Sequence, residues 1–360
     1  KNGNYILAGS YGVELFSKID YGFFISSDNG LSWQKCKSLD VRIKSVIEHN
    51  GIFFVGGLDK HLYISKDLGK TWEVDTNFIF PVDLFFSDGD NLYAGVNNVG
   101  VHLSTDNGKT WVKRHNGIWQ TNIKKFLKFK DALYCQDDRQ HIFQTKDNGM
   151  NWTICPLMTD SLTSFDLLKY EDKLLVATSG KQGLYESTVN GNNWDIFGNG
   201  FPYIVYKIYN WKNLFACILP GQRYINVSKD GGQNWNKYDV GIFSGDNFIQ
   251  DIELIGGDTL LLATTHGTRF STDFGESWHK FYAVTLDSNF ETLNIVRIDE
   301  NKLVMTAYNE GLFKSNDNGQ SWEKVNTNFT ELTSIRNATL DYVHGKLFAY
   351  IHDIGLYYTE

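Results

Sequence analysis

The 360-residue sequence contains little proline, little cysteine and no long apolar run. Its 4 prolines fall far below the roughly 5% of an average protein, so glycine and asparagine must form most of the turns. The 4 cysteines are widely spaced and form no Cys-x-x-Cys pair, which argues against a zinc site and against a disulfide framework. No stretch approaches the roughly 18 apolar residues of a transmembrane helix, so we expect no membrane insertion.

Basic residues are also in short supply. The chain has 34 Lys and Arg against 42 Asp and Glu, a net charge of −8, and its basic residues are scattered. A nucleic-acid-binding surface needs clustered positive charge, so no nucleic-acid partner is expected. The 9 histidines show no metal-binding spacing, and we expect neither a metal nor a cofactor.

Tryptophan, by contrast, is abundant, and eight of the 10 tryptophans lie in one repeated motif, Ser-x-Asp-x-Gly-x-x-Trp. Thr145 replaces the serine in the fourth copy, and Val189 replaces the aspartate in the fifth. Successive motif tryptophans are 39 to 44 residues apart. The motif aspartates and tryptophans are Asp28, Asp67, Asp106, Asp147, Asp230, Asp273, Asp317, Trp33, Trp72, Trp111, Trp152, Trp194, Trp235, Trp278 and Trp322.

Short runs rich in β-branched and aromatic residues surround every motif and predict four strands for each unit of roughly 41 residues. Four strands per repeat are typical of a β-propeller blade, so we predict an all-β propeller of four-stranded antiparallel blades, forming one domain over residues 1–360. The partial units at both ends bring the predicted total to 34 strands. This favours nine units, with an eight-bladed ring as the alternative. The predicted units are approximately 4–36, 41–75, 79–114, 121–155, 161–197, 201–238, 246–281, 289–325 and 331–359.

The residues of the motif predict a structural role. Asp-Asn-Gly and Asp-Gly-Gly sequences favour hairpin turns, because glycine readily takes a positive φ. The aspartate can accept hydrogen bonds from backbone N–H groups of its own turn, and the tryptophan offers a large apolar face to a neighbouring blade. The turn at Val189 lacks this carboxylate, and we expect it to have lost the anchoring bond.

The motif and its spacing resemble the Asp-box (BNR) repeat of sialidases, sortilin-type receptors, xyloglucanases and photosystem II assembly factors. The resemblance covers essentially the whole chain and implies a propeller whose ligand binds on the face opposite the Asp-boxes. On that face we expect the loops between blades and the turns between second and third strands. The interblade loops carry aromatic residues, which suit either ligand binding or packing between blades: Phe78, Phe80, Trp119, Phe197, Phe201, Tyr203, Phe243, Phe248, Tyr282, Phe290 and Phe329.

Two enzymatic interpretations remain open as alternatives. A sialidase-like site would need three arginines, for which Arg42, Arg297 and Arg336 are candidates, but the Arg-Ile-Pro signature of that family is absent. A xyloglucanase-like site would need a carboxylate pair. Its candidates are Asp137, Asp138, Asp251 and Glu253, none of which lies in that family's Asp-Gly-Gly setting.

A complete scaffold without a complete catalytic set favours a non-catalytic propeller that binds a protein, peptide or glycan. We expect a monomeric domain or a part of a larger complex. By resemblance to the family we expect it outside the cytoplasm, in the periplasm, at the cell surface or secreted. The candidate ligand-binding residues are Trp119, Arg42, Arg297, Arg336, His266 and Arg139.

Overall fold

The computed structural model describes residues 6–10, 22–26, 34–36, 38–118, 121–156, 163–180, 182–189, 191–199, 204–219, 221–241, 249–255, 257–265, 267–280, 292–297, 301–307, 311–319, 321–324, 338–343, 346–351 and 355–358. These residues form 34 strands, the number that the repeat predicts. They include no helix long and apolar enough to cross a membrane. The predicted all-β propeller class is confirmed.

The strands form seven four-stranded antiparallel sheets and one six-stranded sheet. The first strands of the four-stranded sheets are β4 (Ile43–His49), β8 (Val82–Asp88), β12 (Ile123–Phe129), β16 (Ser164–Tyr170), β20 (Lys207–Trp211), β24 (Ile249–Ile255) and β28 (Thr292–Arg297). The second strands are β5 (Ile52–Gly57), β9 (Asn91–Val96), β13 (Ala132–Asp137), β17 (Lys173–Thr178), β21 (Leu214–Ile218), β25 (Thr259–Thr264) and β29 (Leu303–Ala307). The third strands are β6 (Leu62–Ser65), β10 (Gly100–Ser104), β14 (Ile142–Thr145), β18 (Leu184–Ser187), β22 (Tyr224–Ser228), β26 (Gly267–Ser271) and β30 (Gly311–Ser315). The fourth strands are β7 (Glu73–Asp75), β11 (Val112–Lys113), β15 (Thr153–Ile154), β19 (Asp195–Ile196), β23 (Asn236–Asp239), β27 (His279–Lys280) and β31 (Glu323–Lys324).

The six-stranded sheet joins the two ends of the chain. It has the order β3-β2-β1-β34-β33-β32, with β1 (Ile6–Ser10), β2 (Gly22–Ser26), β3 (Gln34–Cys36), β32 (Ala338–Val343), β33 (Lys346–Ile351) and β34 (Gly355–Tyr358). Leu7 pairs with Tyr358, and Ala8 pairs with Tyr357. The two incomplete end units therefore share one sheet, and the number of blades stays a prediction.

The chain divides into two compact units. Unit 1 comprises residues 1–43, 220–227 and 236–360, and unit 2 comprises residues 44–219 and 228–235. Within unit 2, apolar clusters fill the space between neighbouring sheets. Trp152 packs with Tyr93 and Leu103 of the preceding sheet and with Phe143 of its own sheet, and its Nε1–H donates to the Arg114 carbonyl at 2.7 Å. This arrangement places the motif tryptophan in the layer between two sheets.

The first strands share a polar feature near their beginning. A register shift interrupts β8, β12, β16, β24 and β28 at the same point of each strand. Polar side chains at or beside these shifts bridge to a neighbouring first strand, as in the Lys44–Asp83 ion pair and the Lys125–Asp166 ion pair, which measures 2.8 Å. A β-bulge re-aims side chains, so this end of the first strands carries charged residues next to buried ones such as Val82 and Ile123.

The six described Asp-boxes that have the aspartate share one hydrogen-bond pattern. The Ser or Thr hydroxyl donates to Asp Oδ1 at 2.6 to 2.9 Å. The backbone N–H four residues after the aspartate also donates to Oδ1, at 2.8 to 2.9 Å. The side chain of Thr71 lowers the pKa of Asp67 to about 2, and the backbone and side chain of Asn234 lower that of Asp230 to about 2. The aspartate is a structural anchor that is fully ionised at neutral pH.

The fifth box, which has Val189 in place of the aspartate, provides a stability test. Its Gly191 N–H still donates to Ser187 Oγ at 3.0 Å, and Val189 itself is exposed. We expect Val189→Asp to accept the backbone N–H of Asn193 and to raise the free energy of unfolding by about 1 kcal/mol. Denaturant unfolding measures the change.

Val189→Ala is the matched control for this test, because it removes the exposed isopropyl group without adding a carboxylate. An aspartate variant no more stable than the alanine variant would contradict the anchoring role of the carboxylate.

Candidate functional site

In unit 2, the turns between second and third strands lie beside the loops that lead into the first strands. The backbone N–H groups of Asn97, Asp138 and Ser179 donate to carbonyls that precede β8, β12 and β16, at 2.8 to 3.0 Å. We call this surface the loop face. It comprises the described residues among 57–61, 97–99, 137–141 and 179–183 and among 76–81, 118–122, 156–165 and 198–206.

The loop face exposes large apolar side chains. Tyr206 is 55% exposed and its ring lies 5.6 Å from the ring of Phe165, with an angle of 44° between the planes. Ile204 is exposed two residues earlier, and Ile79 is 57% exposed in the loop before β8. Exposed apolar side chains that lie together and are bordered by polar groups are typical of contact sites for a partner.

A charged pair lies next to this aromatic pair. Asp166, which follows Phe165 in the chain, accepts from Lys125 Nζ at 2.8 Å and from the Ile208 N–H at 3.3 Å. The Asp166 side chain is paired and largely buried, whereas the Lys125 side chain is partly exposed. The pair therefore presents its cationic end to solvent beside the two rings. The aromatic pair therefore has a polar border.

The β5–β6 turn holds a histidine against a carboxylate. His61 Nδ1 lies 3.2 Å from Asp59 Oδ2, and the Tyr63 hydroxyl donates to the same oxygen at 2.5 Å. Partial burial raises the pKa of Asp59, but the bonds from Tyr63 and His61 outweigh it and leave the pKa below its ordinary value. The carboxylate is ionised at neutral pH and acts as an acceptor for both neighbours.

The β13–β14 turn repeats this arrangement with a different aspartate. His141 Nδ1 lies 3.0 Å from Asp137 Oδ2, and the His141 N–H donates to Asp137 Oδ1 at 2.7 Å. The Thr121 hydroxyl lies 2.9 Å from both Asp137 Oδ2 and Asp138 Oδ1, and Asn122 Nδ2 donates to Asp138 at 2.8 Å. Burial raises the pKa of Asp138, but the bonds from Thr121 and Asn122 lower it by more. Both carboxylates are thus occupied by hydrogen bonds of the turn.

Unit 1 contains a second group of charged residues, on β24 and β28. Asp251 is buried and accepts from the Ile295 N–H at 3.2 Å. Burial and the neighbouring Asp251 raise the pKa of Glu253 to about 8, although the backbone and the charge of Arg297 lower it. The carboxyl of Glu253 therefore carries its proton at neutral pH.

The structure describes three of the six candidate ligand-binding residues. Arg139 is exposed on the β13–β14 turn, Arg42 is half-buried just before β4, and Arg297 is half-buried at the end of β28. Trp119, His266 and Arg336 lie outside the described residues. Of the three described residues, Arg297 approaches another candidate, Glu253.

Several expectations for single residues can be compared with the structure. The interblade aromatics Phe78 and Phe197 are buried in apolar clusters of unit 2, which supports packing over ligand binding for these two. All four cysteines, Cys36, Cys135, Cys155 and Cys217, are buried and form no disulfide. Within the described residues, no three His, Cys, Asp or Glu side chains are grouped as a metal site requires.

Sequence reasoning missed the two His–Asp pairs and the Phe165–Tyr206 pair. The histidines do have a signal, because each stands four residues before the Ser or Thr of an Asp-box and follows an aspartate by two or four residues. The aromatic pair has no such signal, because its residues are 41 positions apart and their exposure depends on neighbouring sheets.

The repeated hydrogen-bonded box and the four-stranded sheets define the class: a β-propeller built from Asp-box repeats. The BNR/Asp-box repeat family model matches residues 269–280. No curated protein matches the chain.

Solved structures share the fold at low sequence identity. YCF48 from Cyanidioschyzon merolae is 14% identical, with a TM-score of 0.50 over 89% of this chain and 94% of that chain. A structure of YCF48 bound to D1 peptide is 12% identical, with a TM-score of 0.53 over 89% of this chain and 93% of that one. The computationally designed Ika8 protein is 9% identical, with a TM-score of 0.59 over 89% of this chain and 98% of its own. These similarities concern the fold alone.

Proposed function

We propose that this chain is a non-catalytic binding propeller that recognises a peptide segment of a partner protein on the loop face of unit 2. The observation that carries the proposal is the contact of the exposed Tyr206 ring with the half-buried Phe165 ring, next to the Lys125–Asp166 ion pair. Binding energy at protein interfaces concentrates in such aromatic side chains. The solved YCF48 structure with D1 peptide is a propeller of similar fold with a bound peptide, and it supports the same use here.

The test starts from a phage-displayed library of 12-residue peptides, panned against the immobilised full-length chain. The selected peptide is then labelled, and its affinity is measured by fluorescence polarisation. We expect Tyr206→Ala to weaken binding at least 10-fold, because the tyrosine supplies a central apolar contact.

Met150→Ala is the matched control, because Met150 is 52% exposed in the Asp-box turn, at the other end of β14 from the loop face. Its affinity should stay within twofold of the wild type. Equal losses in both variants, or no selected peptide at all, would count against the proposal.

The alternative is a glycoside hydrolase, and one observation favours it. A protonated Glu253 beside Asp251 has the charge state that a general acid requires. Hydrolysis of sialosides or of xyloglucan that disappears in Glu253→Gln would support this alternative and would displace the binding proposal. We propose a location outside the cytoplasm for either function, on the resemblance to the family.

A further inference from the structure

Two turns on the loop face hold a histidine in the same orientation by different means. The ring of His61 lies 6.4 Å from that of Tyr63 at 70°, and the ring of His141 lies 6.1 Å from that of Phe143 at 72°. Asp59 is the third residue of the first turn and Asp137 the first residue of the second, yet each reaches the Nδ1 atom of its histidine. Two unrelated placements of a carboxylate thus produce one imidazole geometry.

The fold does not require histidine at this position. Five other repeats have glycine four residues before the Ser of their box: Gly22, Gly100, Gly183, Gly267 and Gly311. A histidine fixed by an aspartate is therefore a property of these two turns, and it needs an explanation beyond the turn itself.

The hydrogen bond between aspartate and histidine determines which ring nitrogen is available to a ligand. A carboxylate oxygen accepts hydrogen bonds, so the imidazole tautomer that fits this contact carries its proton on Nδ1 and keeps an acceptor lone pair on Nε2. The His61 and His141 side chains are 43% and 48% exposed. Lys60 directly precedes His61, and Arg139 precedes His141 by two residues. Both are exposed cations that can donate hydrogen bonds. Each turn therefore offers an acceptor and a donor.

The charge of the turns excludes a simple anion site. The first turn combines Asp59 with Lys60 and is neutral, and the second combines Asp137 and Asp138 with Arg139 and carries one negative charge. A site for an acidic group needs net positive charge. A neutral group that has both a donor and an acceptor fits better, and a peptide unit offers both at every residue.

We propose that the turns at residues 57–61 and 137–141 are main-chain clamps, in which His61 and His141 accept backbone N–H groups of a bound extended peptide while Lys60 and Arg139 donate to its carbonyls. The inference rests on the proposed function and adds a mode of recognition to it. In this mode of recognition the two turns bind the peptide backbone, and Phe165 and Tyr206 select among peptide side chains.

The first experiment measures the affinity of the selected 12-residue peptide for His61→Ala, His141→Ala and the double variant of the full-length chain. One lost hydrogen bond corresponds to a loss of about 2- to 10-fold for each histidine. His279→Ala, on the outer strand β27, is the control and should bind like the wild type. N-methylation of the peptide backbone, scanned along the peptide, should weaken binding at positions where replacing the side chain has little effect.

The second experiment uses the wild-type protein, so a folding defect of a variant cannot explain its result. Long-range ¹H–¹⁵N spectra of histidine-labelled wild-type protein should show the Nδ1–H form for His61 and His141, and peptide addition should shift both Nε2 resonances. Unchanged Nε2 resonances, or a double variant that binds like the wild type while Tyr206→Ala does not, would overturn the clamps and leave the proposed function intact. If no peptide binds, or a glycan alone moves the Nε2 resonances, both proposals fail.

Discussion

Gly198→Ala is expected to destabilise the protein by about 2–5 kcal/mol. Gly198 has a φ of 78°, and a Cβ atom at this position would overlap the carbonyl oxygen of Gly232, which also accepts from Trp235 Nε1 at 2.9 Å. A left-handed conformation costs an L-residue roughly 1–2 kcal/mol, and a clash with a packed backbone adds roughly 1–3 kcal/mol. Chemical denaturation followed by tryptophan fluorescence measures the difference.

Gly51→Ala separates the cost of the left-handed conformation from the cost of the clash. Gly51 has the same φ of 78°, but a Cβ atom there would meet nothing within 4 Å. We expect a loss of only about 1 kcal/mol, from the backbone conformation alone. Equal losses in Gly51→Ala and Gly198→Ala would show that the close approach of Gly198 to the next Asp-box does not matter for stability.

Glu253→Leu is expected to stabilise the protein by roughly 2–4 kcal/mol at pH 8. The corresponding positions of β8, β12, β16 and β28 carry apolar residues, Phe86, Leu127, Leu168 and Val296, so leucine suits this layer. Burial and Asp251 raise the pKa of Glu253 to about 8. The folded protein must hold a proton that the unfolded chain has already released.

The sign of the pH dependence follows from this difference in bound protons. Between the ordinary pKa of glutamate, near 4.3, and about 8, the folded state binds more protons than the unfolded state, so this residue makes stability fall as the pH rises. Glu253→Gln should remove that part of the slope, and its advantage over the wild type should grow from pH 4 to pH 8. Thermal melts at one-unit pH intervals measure it.

Glu276→Gln is the control for the pH series, because Glu276 is exposed in the same unit. Its melting temperatures should run parallel to those of the wild type. A Glu253→Gln curve that also runs parallel would mean that Glu253 is ionised in the folded protein at neutral pH.

The candidate site was only partly predictable. The turn containing Asp59, Lys60 and His61 and the one containing Arg139 were expected on the loop face, because topology places every turn between second and third strands there. Which hydrogen bonds these side chains make was not predictable, since Thr121 reaches Asp137 from a loop 16 residues away. Arg297 was proposed as part of an arginine group, which stays a prediction, and in the structure Arg297 lies near Glu253.

The all-β class, the 34 strands and the turn chemistry of the repeats could be predicted from the sequence without a structure. These are local properties, because the hydrogen bonds of an Asp-box join residues of one short segment. In the box from Ser65 to Thr71, they lie within seven residues and do not depend on neighbouring sheets. Tertiary structure alone decided that Phe165 meets Tyr206 and that Glu253 approaches Arg297, because residues 41 to 44 positions apart meet only when neighbouring sheets pack. The scarcity of proline is also explained by the sequence, because Asp, Asn and Gly form the turns within each repeat.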